Sequence, residues 1–319
     1  MARVETAARL HFGFQNLALA HDRLYGGVGV ALASPAVVVK ADRASTVDAD
    51  GAVEPYAEAA VETLDVPGAR VEAVERFRRH VGLGSGTQLA LSTLVAVAEA
   101  HDRAVDPRAL APSLGRGGRS GVGVATFERG GFVVDAGHPT ERFTTEPPER
   151  GDWTVPPPVV ARPVPADWRF VVATPDGTTG AAGEAEDASM RAAVDRADPG
   201  IADEVAGVLT RQLLPAVAEA DLAAFGAAVS RLGRLNGAWY ADEQGGVYRP
   251  PAGRLVERLA DEPGVRGAGQ SSWGPSVYAA THADDAGRVR EAALAALSAA
   301  GVDGTVEVAA PRNEGATVD

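Results

Sequence analysis

Apolar residues alternate with polar or small ones over residues 3–14, and again over 28–41. A period of two puts successive side chains on opposite faces, so both stretches predict strands. Between them "RLYGGVGVAL", residues 23–32, carries glycines that suit a tight turn or a close backbone approach. The period becomes helical over 52–64, returns to two over 71–79, and is helical again from about 86 to 101. A short helix is predicted from Asp106, with Pro107 at its first position. Residues 115–138, "GRGGRSGVGVATFERGGFVVDAGH", read as two strands around a turn at 129–131. Prolines then crowd residues 144–165 without any periodicity, the composition of an extended linker.

In the second half, "WRFVVATP" at 168–175 predicts a strand and 201–240 is mostly helical. A helix over 249–260, a hairpin over 264–281, a helix over 284–300 and a strand over 304–310 follow. Strands and helices mix in both halves without steady βαβ alternation, which predicts an α+β fold. At 319 residues the chain has room for two domains, here 1–145 and 166–319 joined by 146–165.

A hydrophobic fraction of 45% indicates a folded protein. A net charge of −13 leaves no basic face for a nucleic-acid duplex. The absence of cysteine excludes disulfides, thiolate nucleophiles and Cys-ligated metals. No run reaches the ~18 apolar residues of a membrane span. "MARVETAARLHF" has no apolar signal-peptide core, so a cytoplasmic protein is expected. Lys40 is the sole lysine among many arginines and acids. Adaptation to high salt, or a GC-rich genome, produces that bias.

The candidate chemistry centres on "HVGLGSGTQLALS", residues 80–92. Gly82, Gly84 and Gly86 can turn backbone amides toward a ligand. The helix behind them adds its unpaired first-turn N–H groups and positive dipole end. Ser85 and Thr87 offer hydroxyls to a phosphate or a metal, and Gln88 follows. A glycine-rich entry to an ordinary buried helix explains the stretch equally well. The loop has neither the GK[ST] of a Walker motif nor a GxGxxG after a strand.

Arg116 and Arg119, among glycines in "GRGGRSG", present forks suited to phosphate or carboxylate. Ser120 follows them. Gln270, Ser271 and Ser272 in "GAGQSSWG" are polar groups on a flexible backbone, and Trp273 either stacks on a substrate ring or fills the core. Tyr25 and Trp239 are weaker stacking candidates. His11 with Arg9, and Asp135 with His138, lie near strand ends, where structural roles are common.

"GLGSGTQLA" resembles the phosphate loop of the GHMP kinase superfamily. Together with "ARLHFGF", "GRGGRSGVGVATFERGGFVVDAGH" and "GAGQSSWGPSVYA", it resembles the β-ribofuranosylaminobenzene 5′-phosphate synthase family of methanopterin biosynthesis. The blocks are collinear over about 9–281. The resemblance implies a two-domain GHMP-kinase-like fold, with an N-terminal ribosomal-protein-like α/β domain and a C-terminal ferredoxin-like domain. It implies a transferase that joins 4-aminobenzoate or 4-hydroxybenzoate to phosphoribosyl pyrophosphate (PRPP), releasing carbon dioxide and pyrophosphate.

It also implies Mg2+ travelling with the pyrophosphate. Arg116, Arg119, Asp135 and His11 would act as catalytic residues, the glycine loop with Ser120 would bind phosphate, and residues 270–273 would bind substrate. Expected partners are these small molecules and at most a second copy of the chain in a homodimer. Several kinases of the superfamily place a carboxylate base in a Ser-Gly-x-Asp segment, where this chain has Gly123. An ATP-dependent small-molecule kinase and a non-catalytic nucleotide-binding regulator are the alternative readings.

Overall fold

The two long alternating stretches form one antiparallel pair, β1 (Ala2–Asn16) and β2 (Arg23–Arg43), in register from Ala2 opposite Ala41 to Asn16 opposite Tyr25. The register shifts between Ala7 and Arg9 and between His11 and Gly13. Such bulges re-aim side chains, and both flank the residues that matter below. The glycines of β2 do not break the strand. A Cβ at Gly27 would collide with Ser120 Oγ and stand 2.8 Å from His11 Nε2, so the glycine serves close approach.

The chain is described from a computed structural model covering residues 1–143, 148–149, 151–177 and 184–319. After β2 come β3 (Asp48–Ala49), α1 (Glu54–Leu64), β4 (Ala69–Glu75), α2 (Ser85–Ala100) and α3 (Pro107–Leu110), the last capped by Asp106. Next are α4 (Val122–Arg129), β5 (Phe132–Asp135), β6 (His138–Pro139), β7 (Pro158–Arg162) and β8 (Trp168–Pro175). The helical region comprises α5 (Glu184–Arg196), α6 (Pro199–Val208), a π-helical turn (Leu209–Leu213), α7 (Leu214–Glu219), α8 (Leu222–Trp239), α9 (Ala241–Gln244) and α10 (Ala252–Ala260). The chain closes with β9 (Gly267–Gln270), β10 (Val277–His282), α11 (Ala286–Ala299), β11 (Gly304–Ala309) and β12 (Thr317–Val318).

Among the described residues eight strands make the first sheet, ordered β12-β1-β2-β4-β3, with β5 and β6 branching from β2 and β7 pairing with β5. The second is β11-β8-β10-β9, all antiparallel. Phe225 of α8 joins them, with Phe12 of β1, Phe132 of β5 and Trp168 and Phe170 of β8 around its ring. A second core lies under α1 and α2 on the first sheet. Among the described residues no helix is long and apolar enough to cross a membrane.

The first of the two strands expected within 115–138 is the helix α4. Its V-G-V start mimics alternation, but both sides are covered. Val122 and Ala125 pack on Val133, while Val124 and Phe127 join the core under α2. The proline-rich stretch is only partly a connection. Pro158–Arg162 pairs with β5, and residues 144–147 and 150 lie outside the described residues. The chain end likewise returns to the first sheet, Val318 pairing with Val4.

Candidate active site

Gly84, in the left-handed region at φ 83°, turns the chain into α2. No described side chain caps this helix and its first turn holds no acid to offset its positive end. Gly82, at φ 90°, packs against the Ser271 carbonyl so closely that any side chain would collide with it. The Gly82 carbonyl accepts from Arg9 Nη1 (2.6 Å) and Ser271 Oγ (2.8 Å), and the Arg9 amide donates to the Leu83 carbonyl (3.0 Å). The loop is thereby stitched to β1 and to the 270–273 turn.

Arg116 reaches over the start of α2, its Nη1 3.2 Å from where a Gly86 Cβ would stand. Its guanidinium lies 5.7 Å from the Tyr56 ring centre, and Arg79 lies 5.5 Å from the same ring. Two guanidinium groups beside a helix N-terminus concentrate positive potential, an arrangement suited to an anion. Thr87 is partly exposed there and Ser85 is mostly buried. Gln88 does not face this mouth. It is fully buried, accepting from Thr6 Oγ1 (2.8 Å) and donating to the Gly123 carbonyl (2.9 Å), which makes it a bolt between β1, α2 and α4.

Beyond Arg116 the segment runs past Arg119, whose guanidinium is ion-paired with Asp187 of α5, to Ser120. Ser120 Oγ stands 3.1 Å from Asp135 Oδ2 and 3.2 Å from His11 Nε2. The Ser120 hydroxyl donates to Asp135 Oδ2, so its oxygen is left to accept from His11 Nε2–H, which sets the imidazole tautomer. Burial and the nearby Arg9 push His11 down to about 3, so it is neutral at pH 7.

Asp135 is completely buried and also accepts from the amides of Gly27 (2.9 Å), Gly121 (2.7 Å) and Gly137 (2.9 Å). Burial raises its carboxyl to about 6 against the pull of those bonds. In this structure Asp135 therefore fastens β2, β5 and the start of α4, with no oxygen turned to a substrate.

In the 270–273 turn, Ser271 is likewise a fastener, fully buried and accepting from the His11 amide (3.1 Å) while donating to Gly82. Ser272 adopts φ 55°, a costly conformation for serine, and its amide donates to the His11 carbonyl (3.0 Å). Gln270 accepts from the Arg249 amide and donates to the Ser272 carbonyl. Trp273 is buried against Tyr240, ring centres 4.2 Å apart. It borders a half-open cleft of about 40 Å3 between β1, α8 and this turn. Trp239 is buried and donates to the Asp198 carbonyl (3.3 Å), and Tyr25 packs between Phe14 and His138. Sequence reasoning missed Tyr56, Arg79, Asp187 and Tyr248, which lie outside the blocks it singled out.

Against known proteins, residues 51–131 match the GHMP kinases N terminal domain and residues 213–299 the GHMP kinases C terminal domain. The β-ribofuranosylphenol 5′-phosphate synthase of Methanothermobacter thermautotrophicus is 34% identical over 294 residues, covering 87% of this chain and 88% of the relative. That of Archaeoglobus fulgidus is 33% identical over 324 residues, covering both chains fully. The chain belongs to the β-ribofuranosylphenol 5′-phosphate synthase family of the GHMP superfamily. Mevalonate diphosphate decarboxylase from Staphylococcus aureus shares the fold, with a TM-score of 0.69 at 12% identity over 100% of this chain and 98% of that one.

Within that fold, position 123 lies in the first turn of α4, where a Cβ would stand 3.1 Å from Thr87 Cγ2. A side chain added there would require Thr87 to give by a few tenths of an ångström. Among the described residues no three His, Asp or Glu side chains gather to hold a metal.

His138 supplies a pH test of this framework. Burial lowers it to about 4, and its Nε2 lies 3.2 Å from the Gly117 carbonyl. Unfolded, it titrates near pH 6.5. Between pH 6.5 and 4 the unfolded chain holds more protons, so stability falls as pH falls. From pH 7 to 4.5 this histidine is expected to remove about 2 kcal/mol. Melting temperatures of His138→Gln, which keeps an N–H donor, should fall less over that interval. An equal fall contradicts the assignment.

Proposed function

We propose that the chain transfers the phosphoribosyl group of PRPP to a ring carbon of a 4-substituted benzoate, releasing carbon dioxide and pyrophosphate. The observation carrying this reading is the uncapped start of α2 beneath Arg116, with Arg79 across the Tyr56 ring, while glycine occupies position 123 next to Thr87. The first feature suits a pyrophosphate leaving group. The second leaves no carboxylate base where several kinases carry one. The relatives are named for a ribofuranosylphenol phosphate product, which favours 4-hydroxybenzoate over 4-aminobenzoate.

The reaction needs no base at position 123. The C1–oxygen bond of the ribose breaks and its electron pair leaves with pyrophosphate. The ring carbon that carries the carboxylate donates a pair to ribose C1. The ring–carboxyl bond then breaks, its electrons restore aromaticity, and carbon dioxide departs. Backbone amides of the loop and Arg116 would stabilise the leaving charge. Magnesium bound to pyrophosphate would neutralise part of that charge. Thr87 and Ser85 are the neutral oxygens nearest the loop for it.

Phosphorus NMR with ATP plus small alcohols, and separately with PRPP plus 4-hydroxybenzoate, tests this at several salt concentrations. Pyrophosphate is expected in the second mixture and no ADP in the first. Stoichiometric ADP would favour the kinase, and binding without turnover would favour the regulator.

A further inference from the structure

We infer that the cleft between β1, α8 and the 270–273 turn receives the aromatic ring of the acceptor, and that Trp273 and Tyr248 read its para substituent. This rests on the reaction proposed above. The cleft is half open to solvent, with about 40 Å3 of room as it stands. Phe14, Tyr240, Trp273 and Tyr248 supply aromatic walls, and no Arg, Lys, Asp or Glu among the described residues lines it.

Its width depends on Gly233 of α8. Glycine inside a helix is unfavourable relative to alanine, so a reason for it is expected. A Cβ at Gly233 would meet only the Tyr248 hydroxyl, at 3.7 Å. The helix face is therefore open where the ring would lie.

The polar groups of the cleft fall into two sets. Asn236 is spent on the Phe14 backbone and Gln270 on Arg249 and Ser272. Trp273 Nε1 and the Tyr248 hydroxyl are buried and have no hydrogen-bond partner among the described residues. Buried donors without partners are rare and costly, which points to a group supplied by a ligand. A para hydroxyl satisfies both by accepting from the indole N–H and donating to the Tyr248 oxygen. A para amino group presents N–H bonds and a lone pair delocalised into the ring, a poor match for an indole that only donates.

The opposite end of the ring has a defined neighbour. Ser271 Oγ bonds both the His11 amide, in the cleft wall, and the Gly82 carbonyl, in the phosphate loop. The ring carbon that attacks can thus face the donor held by the loop while the para group lies deep.

The test uses steady-state kinetics with 4-hydroxybenzoate and 4-aminobenzoate, calorimetric titration of PRPP, and melting temperatures. Gly233→Leu is expected to keep its fold and its affinity for PRPP while raising the Michaelis constant for either benzoate at least tenfold. Trp273→Phe and Tyr248→Phe should each lower kcat/KM for 4-hydroxybenzoate about tenfold, and that for 4-aminobenzoate less than twofold. A folded Gly233→Leu enzyme with the wild-type benzoate constant overturns the cleft assignment. If that variant does not fold, the two phenylalanine variants decide, and equal losses on both benzoates overturn the para reading. Failure of the wild-type protein to turn over either benzoate refutes the reaction itself, whereas wild-type turnover with indifferent variants refutes only the cleft.

Discussion

Gly86→Val is expected to abolish PRPP binding without unfolding the protein. Gly86 is the second residue of α2, and the nearest atom to an added Cβ is Arg116 Nη1, the far end of a flexible side chain. The backbone can stay in place, but the valine covers the first-turn amides and displaces the guanidinium above them. Two charge-assisted hydrogen bonds at roughly 1.5–3 kcal/mol each correspond to a loss of about a hundredfold or more. Gly82→Val is a different experiment. At φ 90°, with the Ser271 carbonyl in the way, it would open the seam to the 270–273 turn and lower stability as well. Calorimetric titration of Gly86→Val reads binding alone, and an unchanged affinity in the folded variant would remove the loop from the site.

The second large effect is expected at the arginines. Arg116→Lys keeps the charge but loses the two-pronged geometry and the flat face over Tyr56. It should raise the Michaelis constant of the ribosyl donor about tenfold to a hundredfold, leaving that of the benzoate unchanged. Arg119 is oriented by Asp187, so a substrate anion would compete with that carboxylate. If Arg119 holds the benzoate carboxylate, Arg119→Lys raises only the benzoate constant, and if it holds the 5-phosphate, only the donor constant. Solvated surface arginines would predict neither change and a stability effect within ~0.5 kcal/mol. Wild-type kinetics in both variants would take the pair out of the site.

The strands and long helices were legible because each buries one face. Residues 122–129 misled because α4 is covered on two sides, so its apolar positions lose helical spacing. α5 was missed because a short apolar set, Met190, Ala193 and Val194, is diluted by charge. Pairing of 158–162 is hidden by prolines that an edge strand tolerates.

The glycine-rich blocks come together in the fold, since close approach and ligand access both select glycine. They did not separate ligand-facing groups from fasteners. Asp135, Ser271 and Gln88 carry polar chemistry but are buried with backbone partners, and only the placement of distant strands decides that. Gly233 and Tyr248 reach the cleft from a helix and a loop that carry no motif.

The central claim is most directly tested with 4-hydroxybenzoate labelled in its carboxyl carbon. With PRPP and magnesium, labelled carbon dioxide and pyrophosphate should be released one for one, and neither should appear when either substrate is omitted. Retention of the label, together with ADP formation when ATP and an alcohol are supplied, would contradict the account.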